Sequence, residues 1–223
     1  MIYLVAAGAV PMFSSVSFAQ APRFAQLTLE ETAGEQRALA ERMMKETRAG
    51  LGGPWNVMLR SPGMADGVLD LYNYYRRKTS LTPQQIEFGI MITAREWNAK
   101  YEWFAHYPHA MAAGISPAIL ADLRIGKRPP AMSAEQSAEY DFTTELLRRH
   151  EVSDATFRRG YDALGQKGVV DLTGLVGTYI TIGALINISQ VPVKVASKDA
   201  PEYLPESTRY LKDLFSRETR SNR

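Results

Sequence analysis

The chain of 223 residues contains no cysteine. That absence removes disulfides, thiolate metal sites, iron–sulfur clusters and thiol peroxide chemistry together. Histidine is scarce as well, and His106, His109 and His150 are all that the chain offers for imidazole chemistry. An excess of one charge is missing too: 26 basic residues face 24 acidic ones, dispersed along the chain, so no basic footprint for nucleic acid is present. No stretch alternates apolar and polar residues as a half-buried strand does. What is there, at 45% hydrophobic, suffices for one substantial core or two small helical blocks sharing one. Small molecules and protein partners are the remaining candidates for what it binds.

Two apolar runs need a reading. The first, at the N-terminus, carries no charge before Arg23 and has small residues at Ser17 and Ala19 ahead of Gln20. This pattern predicts a secretory signal over 1–19 and a periplasmic or secreted mature chain. The absence of an early Lys or Arg leaves a buried first helix, and a cytoplasmic protein, as the alternative. The second run, VVDLTGLVGTYITIGALINI at 169–188, holds a single charge but is interspersed with Gly174, Gly177, Gly183 and several threonines. Small and hydroxyl residues at that spacing suit close helix packing, and the length is marginal for a bilayer. We read it as a core or subunit-interface helix, with no integral membrane segment once a signal is removed.

Start and stop signals divide the rest into helices, so the predicted class is all-α. Thr28 with Glu31 forms a capping-box pattern that predicts a helix over 29–49, ended by the glycines at 50, 52 and 53. Ser61-Pro62 opens a second helix. Thr82, Pro83 and Gln85 make the clearest start in the chain, predicting a helix from Pro83 to about Tyr107. Pro108 then forces a kink or restart. Ser116-Pro117 begins a short helix to about Arg124, GKRPPAMS at 126–133 is a loop, and Ser133 with Gln136 opens a second block. The organisation expected is an N-terminal helical arm over 20–54, a helical domain over 55–192, and a charged tail over 193–223 that wraps a partner or stays mobile.

On one continuous helix, with about 100° per residue, Arg95, Ala99, Glu102 and His106 fall within a stripe about 60° wide. Glu87 lies several turns earlier and joins that face only roughly. A glutamate four residues before a histidine can fix its tautomer and raise its basicity, and Trp97, Trp103 and Phe104 are placed to desolvate the pair. An ordinary solvated ion pair is the competing reading. A metal site from Glu102, His106 and His109 can be drawn, but Pro108 interrupts the histidine pair, so no metal is expected.

The segment SLTPQQIEFGIMITAREWNAKYEWFAHYPHAMAAGIS, residues 80–116, resembles the signature of the carboxymuconolactone decarboxylase and alkyl hydroperoxidase D superfamily. WNVMLRSPGMADGVLDLYNYYR at 55–76 resembles the helix that introduces it. The peroxidase branch of that superfamily carries two cysteines where this chain has Ala99 and Glu102, with its glutamate and histidine at the positions of Glu87 and His106. The decarboxylase branch carries H-E-x-x-x-H, which Glu102 and His106 match and Tyr101 does not. The resemblance implies an alkyl hydroperoxidase D-like fold of two related helical blocks, assembled as a trimer or hexamer.

It also implies a cofactor-independent lyase or isomerase acting on a small carboxylated or lactone-type substrate. In that reading His106 transfers the proton, Glu102 orients it and Glu87 relays. Arg95 holds a substrate carboxylate or the developing charge, and Tyr101, Trp97 and Asn187 contribute to substrate binding, with Tyr179 sharing the stripe of Asn187. The alternative is a binding or scaffold member that kept the fold after losing the cysteines.

Overall fold

The computed structural model describes residues 21–193 and Leu204. The expected signal segment, 1–19, and all of the expected tail but Val193 and Leu204 lie outside the described residues. Among the described residues the structure is all-helical: α1 (Gly34–Glu46), α2 (Pro54–Met58), α3 (Pro62–Arg77), α4 (Pro83–Glu96), α5 (Lys100–Ala112), α6 (Pro117–Arg124), α7 (Ala134–Arg149) and α8 (Asp154–Ser189).

The capping signals at the starts of α4 and α7 form as read. The Thr82 and Ser133 hydroxyls accept from the N–H groups of Gln85 and Gln136, whose side chains accept in return from the cap N–H groups. At the N-terminal signal only half of the box forms: the Thr28 N–H donates to Glu31 Oε2 at 2.8 Å. Thr32 instead closes a turn onto the Leu29 carbonyl, and α1 begins at Gly34 rather than at 29.

The helix expected to run unbroken from Pro83 to about Tyr107 is two helices. The Ala99 N–H returns to the Ala94 carbonyl at 2.8 Å and the Asn98 N–H to that of Arg95 at 3.2 Å, the two bonds of a Schellman motif. Asn98 takes the left-handed conformation, φ 48°, that this stop requires. The expected break at Pro108 is absent, and α5 continues through it to Ala112. Pro108 lies on the exposed face, so a single helix hydrogen bond is lost, while buried Trp103 and Ala110 anchor the turns on either side.

α4 is the central element. Its residues from Phe88 through Ala94 are all buried, and it packs against α5, α7 and α8. It separates two apolar clusters. Phe88, Met91 and Ile92 face one that contains Trp103, Leu120, Tyr140 and, from the tail, the buried Leu204. Ile90 faces the other, which is built by α1, α2, α3 and the apolar half of α8 through residues such as Met43, Trp55, Leu69 and Leu172. α8 contains the run expected to be a core or interface helix; it is long and apolar enough to cross a membrane, and half of its most apolar window is buried within this chain. Gly165, at φ 72° and ψ 174°, interrupts it and sets the apolar run at 169–188 apart from the helical stretch that precedes it.

Candidate functional site

The Schellman turn at 97–99 is what creates the site. Had α4 and α5 been one helix, Glu87 and His106 would lie about 28 Å apart along its axis. Because the chain reverses at Asn98, α5 folds back along α4 and His106 Nδ1 meets Glu87 Oε2 at 2.8 Å. On α5 itself, Glu102 sits one turn before His106, and its Oε2 lies 3.2 Å from Nε2. The imidazole is thus held between two carboxylates, one on each ring nitrogen.

Burial opposes a charge on His106, but the hydrogen bonds and the negative charges of Glu102 and Glu87 outweigh it and raise its pKa to about 9. At neutral pH the ring is an imidazolium. Its two protons are not held alike: Nδ1–H faces Glu87 at short distance, whereas Nε2–H faces Glu102 at 3.2 Å and the Tyr179 hydroxyl oxygen at 3.4 Å. The looser proton is on Nε2.

These groups line a cavity of about 270 Å³ between α2, α3, α4, α5 and α8. Its walls are apolar and aromatic, from Trp55, Tyr72, Ile90, Tyr101, Leu175 and Ile182. Local packing fixes several of them. Gly53 has φ 57°, and a Cβ there would lie 2.2 Å from the Tyr101 hydroxyl, so only glycine leaves room for that tyrosine. Gly174 plays the same part for Tyr75, whose hydroxyl a Cβ would meet at 2.6 Å.

Cations also line the cavity. Arg76 lies over the Tyr72 ring, 5.3 Å from its centroid, and Arg48 Nη1 donates to His109 Nδ1 at 3.1 Å. Burial pushes the His109 pKa down, and the Arg48, His106 and Arg76 charges add to this against the pull of Glu87. His109 is therefore neutral with its proton on Nε2. At neutral pH the lining carries three cations, Arg48, Arg76 and imidazolium His106, against two carboxylates, a local balance that favours an anionic ligand.

Of the catalytic and binding residues expected from the sequence, Glu87, Glu102, His106 and Tyr101 line this cavity, as does Tyr179, whereas Arg95, Trp97 and Asn187 do not. Arg95 belongs to α4, and its Nη2 lies against Gly126 in the loop after α6. The stripe that joined it to Glu102 and His106 existed only on a continuous helix. Trp97 is part of the turn and 40% exposed. The Asn187 side chain donates to the Trp97 carbonyl at 3.0 Å, fastening the same turn to α8. Arg48, Arg76, Tyr72 and Trp55 were not singled out for the site, although the last three lie in the 55–76 segment, because no local pattern encodes the apposition of their elements to α5. His109 lines the cavity because α5 continues through Pro108. No group of three or more metal-ligating side chains occurs among the described residues.

A comparison of the chain with protein-family models and with curated proteins finds no match.

Proposed function

We propose that this chain is a cofactor-independent lyase or isomerase that protonates an enolate-like carbon in a small carboxylated or lactone-type substrate. The observation that carries this reading is the His106 imidazolium, clamped between two carboxylates in a cavity with cations in its lining. Loss of carbon dioxide breaks a C–C bond and leaves its electron pair on the neighbouring carbon, delocalised into a carbonyl. That carbon must then be protonated in place. Nε2–H of His106 is the proton available, Glu87 holds the other edge of the ring, and Glu102 orients it and balances its charge. Double-bond migration uses the same groups, with Glu102 accepting the proton that leaves one carbon while Nε2 supplies the other. Arg48 and Arg76 take the anion-binding role first expected of Arg95.

The resemblance of residues 80–116 to the carboxymuconolactone decarboxylase and alkyl hydroperoxidase D superfamily supports this reading. An alkyl hydroperoxidase D-like arrangement assembled as a trimer or hexamer is part of the same proposal. Val170 and Ile188, 67% and 54% exposed on α8, are where such an assembly has apolar surface to bury. Sedimentation of the chain lacking 1–19 should then show no stable monomer at micromolar concentration.

The test uses a panel of small lactones and keto acids in D₂O, followed by proton NMR. Wild-type protein should wash solvent deuterium into the carbon beside the carbonyl of at least one member, and His106→Asn should not. A wild type inert across the panel, or exchange that persists in His106→Asn, would overturn the reading. Tight binding without exchange would favour the non-catalytic binding protein instead.

A further inference from the structure

Both ring nitrogens of His106 already face carboxylates, so the imidazole has no spare donor with which to hold a substrate oxygen. The oxygen on which an enolate's charge accumulates needs a second group, and it must lie beside Nε2. Among the described residues, Tyr179 brings a donor to that position. Tyr179 stands on α8 with its hydroxyl oxygen 3.4 Å from Nε2 and its ring edge-to-face against the imidazole, centroids 5.3 Å apart at 88°. It is 9% exposed, and the surface it retains lines the cavity.

We propose that Tyr179 is a catalytic residue that donates its phenolic hydrogen to the carbonyl oxygen of an enolisable substrate while His106 Nε2 serves the adjacent carbon. This inference rests on the proton-transfer reading above and adds to it the group that holds the enolate oxygen. When His106 is protonated, the Nε2–H can only donate, so the phenol oxygen is an acceptor on that side. Among the described residues the phenol hydrogen then has no other acceptor and is directed to the cavity. Burial, with the Glu102 and Glu87 charges, holds the phenol pKa well above its usual value, so the group remains a donor throughout. A donor fixed by packing before the charge develops is the arrangement that stabilises an oxyanion at least reorganisation. The bonds balance simply: as the C–C or C–H bond breaks, its electron pair forms the enolate C=C and moves the carbonyl pair onto oxygen, where the Tyr179 hydrogen bond meets it. Protonation of the carbon by Nε2–H reverses this, and Tyr179 keeps its proton.

The test separates oxygen recognition from turnover. 4-Nitrophenolate presents an oxyanion on a flat conjugated ring, as an enolate does, and nitrobenzene is the same ring without it. Wild-type protein should prefer the phenolate, and Tyr179→Phe should weaken phenolate binding roughly 10- to 100-fold, the scale of one hydrogen bond to a charged group, with nitrobenzene unchanged. As a second measurement that does not depend on the variant folding, 3-fluorotyrosine placed at position 179 should show a fluorine resonance that moves with the phenolate and not with nitrobenzene. A wild type without the preference, a preference intact in Tyr179→Phe, or a resonance indifferent to the phenolate would each overturn the proposal. A preference that depends on Tyr179 in a protein that washes no deuterium into any substrate would leave the oxygen contact standing and reject the proton-transfer reading alone.

Discussion

Two acidic centres of this protein, both drawn into its interior, are built on opposite principles. At one, Asp171 of α8 accepts from the Tyr74 and Thr79 hydroxyls, from the Ser80 N–H and hydroxyl, and from Lys167, at 2.7 to 3.1 Å. At the other, Glu87 and Glu102 share a single imidazolium and open onto a cavity. The first carboxylate is saturated with donors, and it pins the α3–α4 connection to α8. The second pair has more lone pairs than donors, which is the condition for a group still able to interact with something that arrives. Saturation makes a joint, and under-saturation beside a cavity makes a site.

Activity should break the comparison most sharply. Glu102→Gln is expected to lower the deuterium wash-in rate about 10²-fold or more, the usual cost of disturbing a positioned acid–base group, with the circular dichroism of the helices unchanged. Asp171→Asn should leave the rate per folded molecule near that of wild type. Equal losses in both variants would mean that the two centres are coupled.

Stability should show the reverse. Asp171→Ala orphans several donors in and around a buried position, and about 2–4 kcal/mol of unfolding free energy should be lost in urea titrations. A loss below about 1 kcal/mol would show that water replaces the carboxylate and that the joint is dispensable.

The pH dependence of stability should distinguish the centres from opposite ends of the scale. The folded His106 pKa is raised from 6.5 to about 9, so its contribution is complete below 6.5 and is lost as pH rises toward 9. About 3 kcal/mol is at stake, and the decline should flatten in His106→Gln. Burial alone would raise the Asp171 carboxyl, but Lys167, Ser80, Thr79 and Tyr74 outweigh it and hold it well below the usual range. Its contribution is therefore present above the unfolded value of about 4 and fades as pH falls below it. Thermal unfolding across pH 3 to 10, compared between wild type and the two variants, checks both limbs.

The smallest effect expected is at a third carboxyl, which has a single backbone donor, at Gly89, and does not line the cavity. Glu139 of α7 is 2% exposed, lies against Gly89, where Leu172 and Leu175 of α8 also pack, and its Oε1 makes no hydrogen bond. Burial raises its pKa well above the ordinary value, so the fold favours the neutral acid and loses stability as pH rises above about 4.5. Glu139→Gln removes that ionisation, and a gain of about 1 kcal/mol at pH 8, vanishing near pH 4, is expected in denaturant titrations. A destabilised variant at pH 8 would show that the ionised carboxylate has a partner.

Local signals were legible where a side chain acts on its own turn. Thr82 with Gln85, Ser133 with Gln136 and Ser116 ahead of Pro117 each mark a helix start that forms as read. The same reasoning missed the stop at Asn98, because an asparagine in the left-handed conformation is recognisable only once the helix is seen to end there. It also overstated Pro108, whose cost depends on whether that face of the helix is exposed. Glu102 and His106 were legible as a pair because four residues is one helical turn. Arg95 was misplaced for the same reason, since periodicity was carried past a turn that the pattern did not reveal.

The sequence by itself determined the absence of thiol chemistry, the all-helical class, and the i, i+4 pairing of Glu102 with His106, since composition and single-turn geometry are properties of local chain. Only the tertiary structure decided that Glu87 closes on the other ring nitrogen, that Tyr179 stands beside Nε2, and that Arg48 and Arg76 replace Arg95 around the cavity. Those relations join residues 19 to 73 positions apart, or bring whole helices together, and their distances follow from how α3, α4, α5 and α8 bury their apolar faces against one another. No periodicity within one helix specifies which face of another it will meet.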